Sequence, residues 1–183
     1  MQYRELTCRK VGYSTIVRVQ NSTHIPGRAT RIANELEDLC DEVNWDDNAR
    51  VVVLAYDGKV FDRDTEEARP SGEIDPASLV SPVANLKQPV IAAIEGDALG
   101  IGLELALAGD IRIGTEGARF GLTQVVDGLI PSAGGTQRLP RLVGWSKALE
   151  MILTGEPVEA DEAKRIGLIH RVVPPVELME RAT

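Results

Sequence analysis

The chain has 183 residues, enough for one domain with a substantial buried core, and a formal charge of -8 from 20 Lys plus Arg against 28 Asp plus Glu. That acidity argues against a nucleic-acid partner and weighs against polyphosphate ligands unless a local Arg cluster overrides it. Cys8 and Cys40 are too few for a disulfide framework and read as inert buried thiols. The N-terminal MQYRELTCRK lacks an apolar signal core and every apolar run is too short for a bilayer, so a cytoplasmic location with no membrane partner is expected.

Residues Tyr3 to Lys10 and Thr15 to Val19 alternate as two strands around a Gly12 turn. From Thr30 to Val43, the residues Ile32, Ala33, Leu36, Leu39, Cys40 and Val43 recur at helical spacing. The β-branched run Val51 to Ala55 predicts a strand covered on both faces. Charges and prolines between Asp57 and Ser81 predict a loop, followed by a short helix over Ala77 to Leu86. A second buried strand, Pro89 to Ile94, leads through a Gly96 to Gly102 turn into an apolar helix, Leu103 to Ala108. Asp110 to Ile113 reads as a strand, and Gly121 to Gly135 as an ordered loop. Helical spacing covers Gln137 to Leu142, Lys147 to Leu153 and Ala160 to Ile166; Leu168 to Val173 is a last strand and Val176 to Arg181 a short helix. Alternating strands and helices predict a layered α/β fold, organised as a core domain over 1–174 and the start of a truncated helical region over 175–183.

The turn after Ile94 carries chemistry. The first N–H groups of a helix lack internal partners, so a Gly-rich turn feeding a helix presents donors to an oxygen that gains charge. Gly100 and Gly102 allow close approach, and Glu104 falls in the first helical turn, where the helix field favours its anion. A carboxylate in so apolar a helix is either a proton carrier or a structural acceptor for nearby N–H groups. His24 and His170 stand without a Cys or Asp cluster at ligand spacing, so no metal is expected; His170 falls inside the last predicted strand. Arg138 and Arg141 are expected to flank a helix at the surface. Gly100-Ile101-Gly102 lacks the rest of a dinucleotide fingerprint.

Ile94 to Ala106, then Phe120-Gly121, Gly128-Leu129-Ile130-Pro131 and Gly134-Gly135-Thr136-Gln137-Arg138-Leu139-Pro140, form a linked series. It continues in order through Leu153-Thr154-Gly155, Ala160 to Ala163, Gly167-Leu168-Ile169 and Val172-Val173-Pro174. Over Lys87 to about Leu178 the chain resembles the enoyl-CoA hydratase/isomerase, or crotonase, family. The resemblance implies a crotonase-like (ClpP/crotonase) spiral of β-β-α units, an acyl-CoA thioester as partner, a homotrimer or hexamer, and no cofactor beyond the coenzyme A of the substrate. It also implies an oxyanion hole made by the N–H groups of Asp62 and Ile101, with Phe61, Leu99, Gly100 and Pro131 contacting substrate. An Ile at 101, where the family favours Gly, is expected to narrow the acyl pocket.

The family's hydratases use two glutamates. Glu104 matches the first, and Gln124, which can orient water but cannot carry a proton, matches the second. Asp127, three residues on, is a candidate substitute. Asp64 stands where the family has Gly, and the usual sequence before the first helix is replaced around His24. Hydration of a 2-enoyl-CoA is the leading expectation, with enoyl-CoA isomerisation, or a weak or inactive binding protein, as alternatives.

Overall fold

The computed structural model describes residues 3–20, 27–58 and 75–183. Strands β1 (Leu6–Val11) and β2 (Ser14–Val19) form an antiparallel hairpin across Gly12, which takes a positive φ of 59°. β1 begins three residues later than expected. The N–H groups of Arg4, Glu5 and Leu6 instead donate to the Glu35 carboxylate at 2.9, 2.9 and 3.0 Å, tying this segment to helix α1 (Arg28–Asn44). Beneath that tie the buried Glu5 carboxylate receives Nε of Arg28 and Nε of Arg31, each at 2.9 Å.

From β2 the sheet grows in parallel through β3 (Val51–Asp57), β4 (Val90–Glu95), β6 (Ile111–Thr115) and β9 (Arg171–Val173), giving the order β1-β2-β3-β4-β6-β9. A smaller sheet joins β5 (Ala98–Leu99), β7 (Arg119–Gly121) and β8 (Val158–Glu159). Helix α2 (Pro76–Ala84) matches the predicted short helix, capped by the Asp75 carboxylate on Ala77 N–H.

Alternation along β3 divides the core. Val52, Leu54 and Tyr56 face α1 and its Ile32, Leu36 and Leu39, while Val53 and Ala55 face the other way. That second face is covered by Leu178 and Ala182 of α7 (Leu178–Ala182), packed with Ala93 and Ile113. Both faces being covered is why β3 reads as one unbroken apolar run.

Two expectations need correction. β9 starts at Arg171 rather than Leu168, because the buried Arg112 side chain takes the Leu168 carbonyl at 2.7 Å and Arg112 N–H donates to His170 Nδ1 at 3.1 Å. His170 therefore lies in an exposed bend, outside the strand. Cys40 is buried as expected, whereas Cys8 sits exposed on the edge strand β1.

No helix among the described residues is long and apolar enough to cross a membrane.

Candidate active site

Helix α3 (Ile101–Ala108) is the centre of the site. Apart from Glu104 it is apolar all round because most of it is buried, with Leu103, Leu105 and Ala106 fully enclosed. It starts two residues earlier than the periodicity suggested: Ile101 and Gly102 are already helical, and Gly100 is the cap. Gly100 holds φ 54° and ψ -122°, backbone that a side chain would strain, and its N–H donates to Gly121 O at 2.9 Å. A Cβ there would point at Thr123 Oγ1, 3.5 Å away, and at Gln124 Nε2, 4.0 Å away. The turn before α3 and the 3₁₀ turn Thr123–Asp127 thus face each other across Gly100. Gly102 plays a different part from the one expected: it is buried within the helix, and its carbonyl accepts the Tyr56 hydroxyl at 2.7 Å.

Glu104 is 1% exposed. Its Oε1 accepts the N–H groups of Ala133 and Gly135, both at 2.8 Å, and its Oε2 accepts Gln124 Nε2 at 3.0 Å. Burial pushes the carboxyl above its ordinary range; the N–H groups of Gly135 and Ala133, the Arg138 charge and the Gln124 amide pull in the opposite direction without cancelling it. Gly135 opens helix α4 (Gly135–Val143), so the carboxylate also sits at that helix's positive end. A Cβ on Gly135 would meet Glu104 Oε1 at 2.9 Å, so the approach requires glycine.

Gln124 carries the second informative feature. Its Nε2 is engaged by Glu104, while its Oε1 is buried without a hydrogen-bond partner among the described residues. Such an oxygen is an acceptor waiting for a water or a ligand donor.

The remaining candidates divide cleanly. Ile101 is the first residue of α3, so its N–H has no carbonyl four residues back within the helix, and its half-buried side chain packs against the core. Leu99 is half-buried and pairs with Gly121; Pro131 is buried. Asp127 is exposed at the end of the 3₁₀ turn and is not among the groups bonded to Glu104. Phe61, Asp62, Asp64 and His24 lie outside the described residues. Gly58, just before them, is packed so tightly that a Cβ would fall 1.4 Å from Asp97 O, so the chain leaves the described part beside the turn that feeds α3. Among the described residues no group of three or more His, Cys, Asp or Glu could hold a metal ion.

Sequence reasoning missed the Ala133 and Gly135 donors and the place of Arg138. The Gly134-Gly135 pair ahead of a helix was the available signal. Arg138 is half-buried, with Nη1 donating to Ala133 O at 2.7 Å, rather than flanking the helix at the surface.

The family model for enoyl-CoA hydratase/isomerase matches residues 18–183. YngF of Bacillus subtilis, an enoyl-CoA hydratase/isomerase by name, is 45% identical over 164 residues, covering 84% of this chain and 63% of that one. The short-chain-enoyl-CoA hydratase of Clostridium acetobutylicum is 34% identical over 192 residues, covering all of this chain and 74% of its own. The chain thus spans about two thirds to three quarters of the length of these two relatives. Among solved structures, an enoyl-CoA hydratase from Bacillus anthracis overlays with a TM-score of 0.82 at 32% identity, covering 98% of this chain and 74% of that one. A monofunctional enoyl CoA isomerase from M. smegmatis overlays at 0.79 with 34% identity, covering 97% and 81%. The expected crotonase-like fold is borne out by these overlays, and the chain belongs to the enoyl-CoA hydratase/isomerase family.

Proposed function

We propose that this protein binds an acyl-CoA thioester, stabilises its enolate, and adds water across a 2-enoyl-CoA with Glu104 as the single proton carrier. The observation that carries this reading is the Glu104 carboxylate itself: buried, held on Oε1 by two main-chain N–H groups, and bonded on Oε2 by the neutral Gln124 amide. A carboxyl group whose proton affinity is raised by burial is better suited than an ordinary one to take and return a proton. The N–H of Ile101, at the positive end of α3, is the described donor for the thioester oxygen, with Asp62 proposed as the second.

In this mechanism water lies between Glu104 Oε2 and Gln124 Oε1. Glu104 takes one proton from the water as its oxygen bonds to the β-carbon, and the electrons of the double bond move to the thioester oxygen. The enolate then collapses as Glu104 returns a proton to the α-carbon. Gln124 accepts the water's other hydrogen and stays neutral throughout.

Gln124 also supports a second reading. One carboxylate and one amide suffice to move a proton between two carbons of an enoyl thioester, so isomerisation needs no further group. Incubation with crotonyl-CoA and with a 3-enoyl-CoA, followed by mass spectrometry and by ultraviolet absorbance of the conjugated thioester, separates the two. A gain of one water establishes hydration; conjugation without mass change establishes isomerisation. Binding of both esters without either change refutes catalysis on these substrates and leaves an acyl-CoA-binding protein.

A further inference from the structure

Arg138 lies one turn into α4, yet its side chain runs backwards over the residues before the helix. Nη1 donates to Ala133 O at 2.7 Å, and the guanidinium fills the space a side chain would need at position 134: a Cβ on Gly134 would lie 2.2 Å from Nη1 and 2.9 Å from Cζ. Gly134 itself sits at φ 97°, backbone that only glycine adopts without strain. On either side of it, Ala133 and Gly135 send their N–H groups to Glu104 Oε1 at 2.8 Å. The three residues are therefore fixed at three points: two N–H groups on the carboxylate, and one carbonyl on the guanidinium.

We propose that Arg138 is a positioning residue: by holding the Ala133 carbonyl it sets the Ala133–Gly135 turn, and that turn sets the orientation of the Glu104 carboxylate. Its importance to turnover rests on the reading of Glu104 as the proton carrier; its effect on the geometry does not. The forked, planar guanidinium suits the task, because it covers Gly134 and reaches the carbonyl with one rigid group. The elements around Glu104 present few competing charges. The 3₁₀ turn offers the neutral Gln124, the residue before it the apolar Leu122, and α4 the Arg138 cation, which also favours the ionised carboxyl.

The test uses isotopically labelled full-length protein as the wild type, R138M and R138K. In R138M the amide protons of Ala133 and Gly135 are expected to move upfield, as their bonds to Glu104 lengthen. The Glu104 carboxyl carbon is expected to titrate at higher pH than in the wild type. With crotonyl-CoA, kcat is expected to fall about tenfold to a hundredfold with KM changed by less than about threefold, the pattern of a misplaced catalytic group. R138K keeps the charge without the fork, so the two amides still shift while the Glu104 titration stays near the wild-type position. Folded R138M with wild-type amide shifts and a wild-type titration overturns the proposal. If R138M does not fold, unchanged amides in R138K overturn it in the same way. A wild type that turns over no enoyl-CoA refutes the catalytic reading of Glu104 and leaves the two resonance measurements to decide the role of Arg138.

Discussion

Replacing Glu104 with Gln and, separately, with Leu distinguishes a carboxylate that does chemistry from one that only satisfies the main chain. The amide introduced by E104Q keeps an oxygen for the two 2.8 Å bonds from Ala133 and Gly135. Its new NH2 would face Gln124 Nε2, but Gln124 can turn over, because its Oε1 is buried and has no partner to lose among the described residues. All three contacts are then remade between neutral groups, and stability is expected to change by no more than about 1 kcal/mol. The E104L side chain fills similar space but strands two buried N–H groups, at about 1–3 kcal/mol each, for a total of about 2–6 kcal/mol. At about 2–4 °C per kcal/mol for a chain of this size, E104L should melt at least about 4 °C below the wild type while E104Q stays within about 4 °C of it. Turnover behaves differently: both variants should lose about 10²- to 10⁴-fold in kcat, since neither carries a proton. The stability ranking has its own pH signature. Because burial raises the folded-state pKa of Glu104, its ionisation costs stability: the wild type is relatively best below the unfolded pKa and loses ground as pH rises through the folded one. Melting curves across pH should therefore show E104Q gaining on the wild type towards neutrality. An E104Q protein with unchanged turnover would refute the proton-carrier role, and one melting as low as E104L would refute the exchange with Gln124.

Other outcomes follow from the same geometry. Gly135→Ala places a Cβ 2.9 Å from Glu104 Oε1 and 3.0 Å from Leu122 Cδ1, so calorimetry should show a loss of about 1–3 kcal/mol together with lowered kcat; a wild-type melting point would contradict the packing described. Glu5→Gln should destabilise by as much as about 3 kcal/mol at neutral pH, since it removes the carboxylate shared by Arg28 and Arg31. Burial raises the Glu5 pKa, but the hydrogen bonds and charges of the two arginines bring it below its ordinary value, so this stabilisation is present above the unfolded pKa and fades as pH falls through the folded one. Urea titrations of both chains over that acid range should converge. Trp145, Leu149 and Leu153 form an exposed apolar line on helix α5 (Trp145–Thr154), a surface that the homotrimer or hexamer implied by the family resemblance would cover. Light scattering should give the mass of a trimer or hexamer, and a monomer mass at micromolar concentration would dispose of that assignment.

The α/β layering was legible because its signals are local: α1 and β3 announce themselves by period and by unbroken β-branched residues. Boundaries failed where a side chain took the backbone groups that a ladder would have used, as Glu35 does before β1 and Arg112 does before β9. In the site, Glu104 stood out because a carboxylate in an apolar helix demands an explanation. The groups that hold it did not stand out, because Ala133 and Gly135 act through main-chain N–H groups and sequence shows only side chains. Arg138 was hidden by a different cause. Its helical position suggested a surface residue, and only a side chain folded back over Gly134 takes it inward. Gln124 was legible as an amide in place of a proton carrier, but its bond to Glu104 needed the fold to bring residues 20 apart in sequence together.

Main-chain donors give this site an uneven tolerance of change. An exchange of side chain at Ala133 leaves its N–H in place, so point variation there can alter fit without removing the donor. Length is another matter. Glu104 meets its donors only because the path from Gly128, at the end of the 3₁₀ turn, to Gly135 brings two particular N–H groups round to face α3. One residue added or lost on that path would turn carbonyl oxygens towards a carboxylate, exchanging attraction for repulsion at both contacts. Lineages of such a chain can therefore vary at exposed positions such as Ile130 and Ser132, while Gly134, Gly135 and the residue count stay frozen.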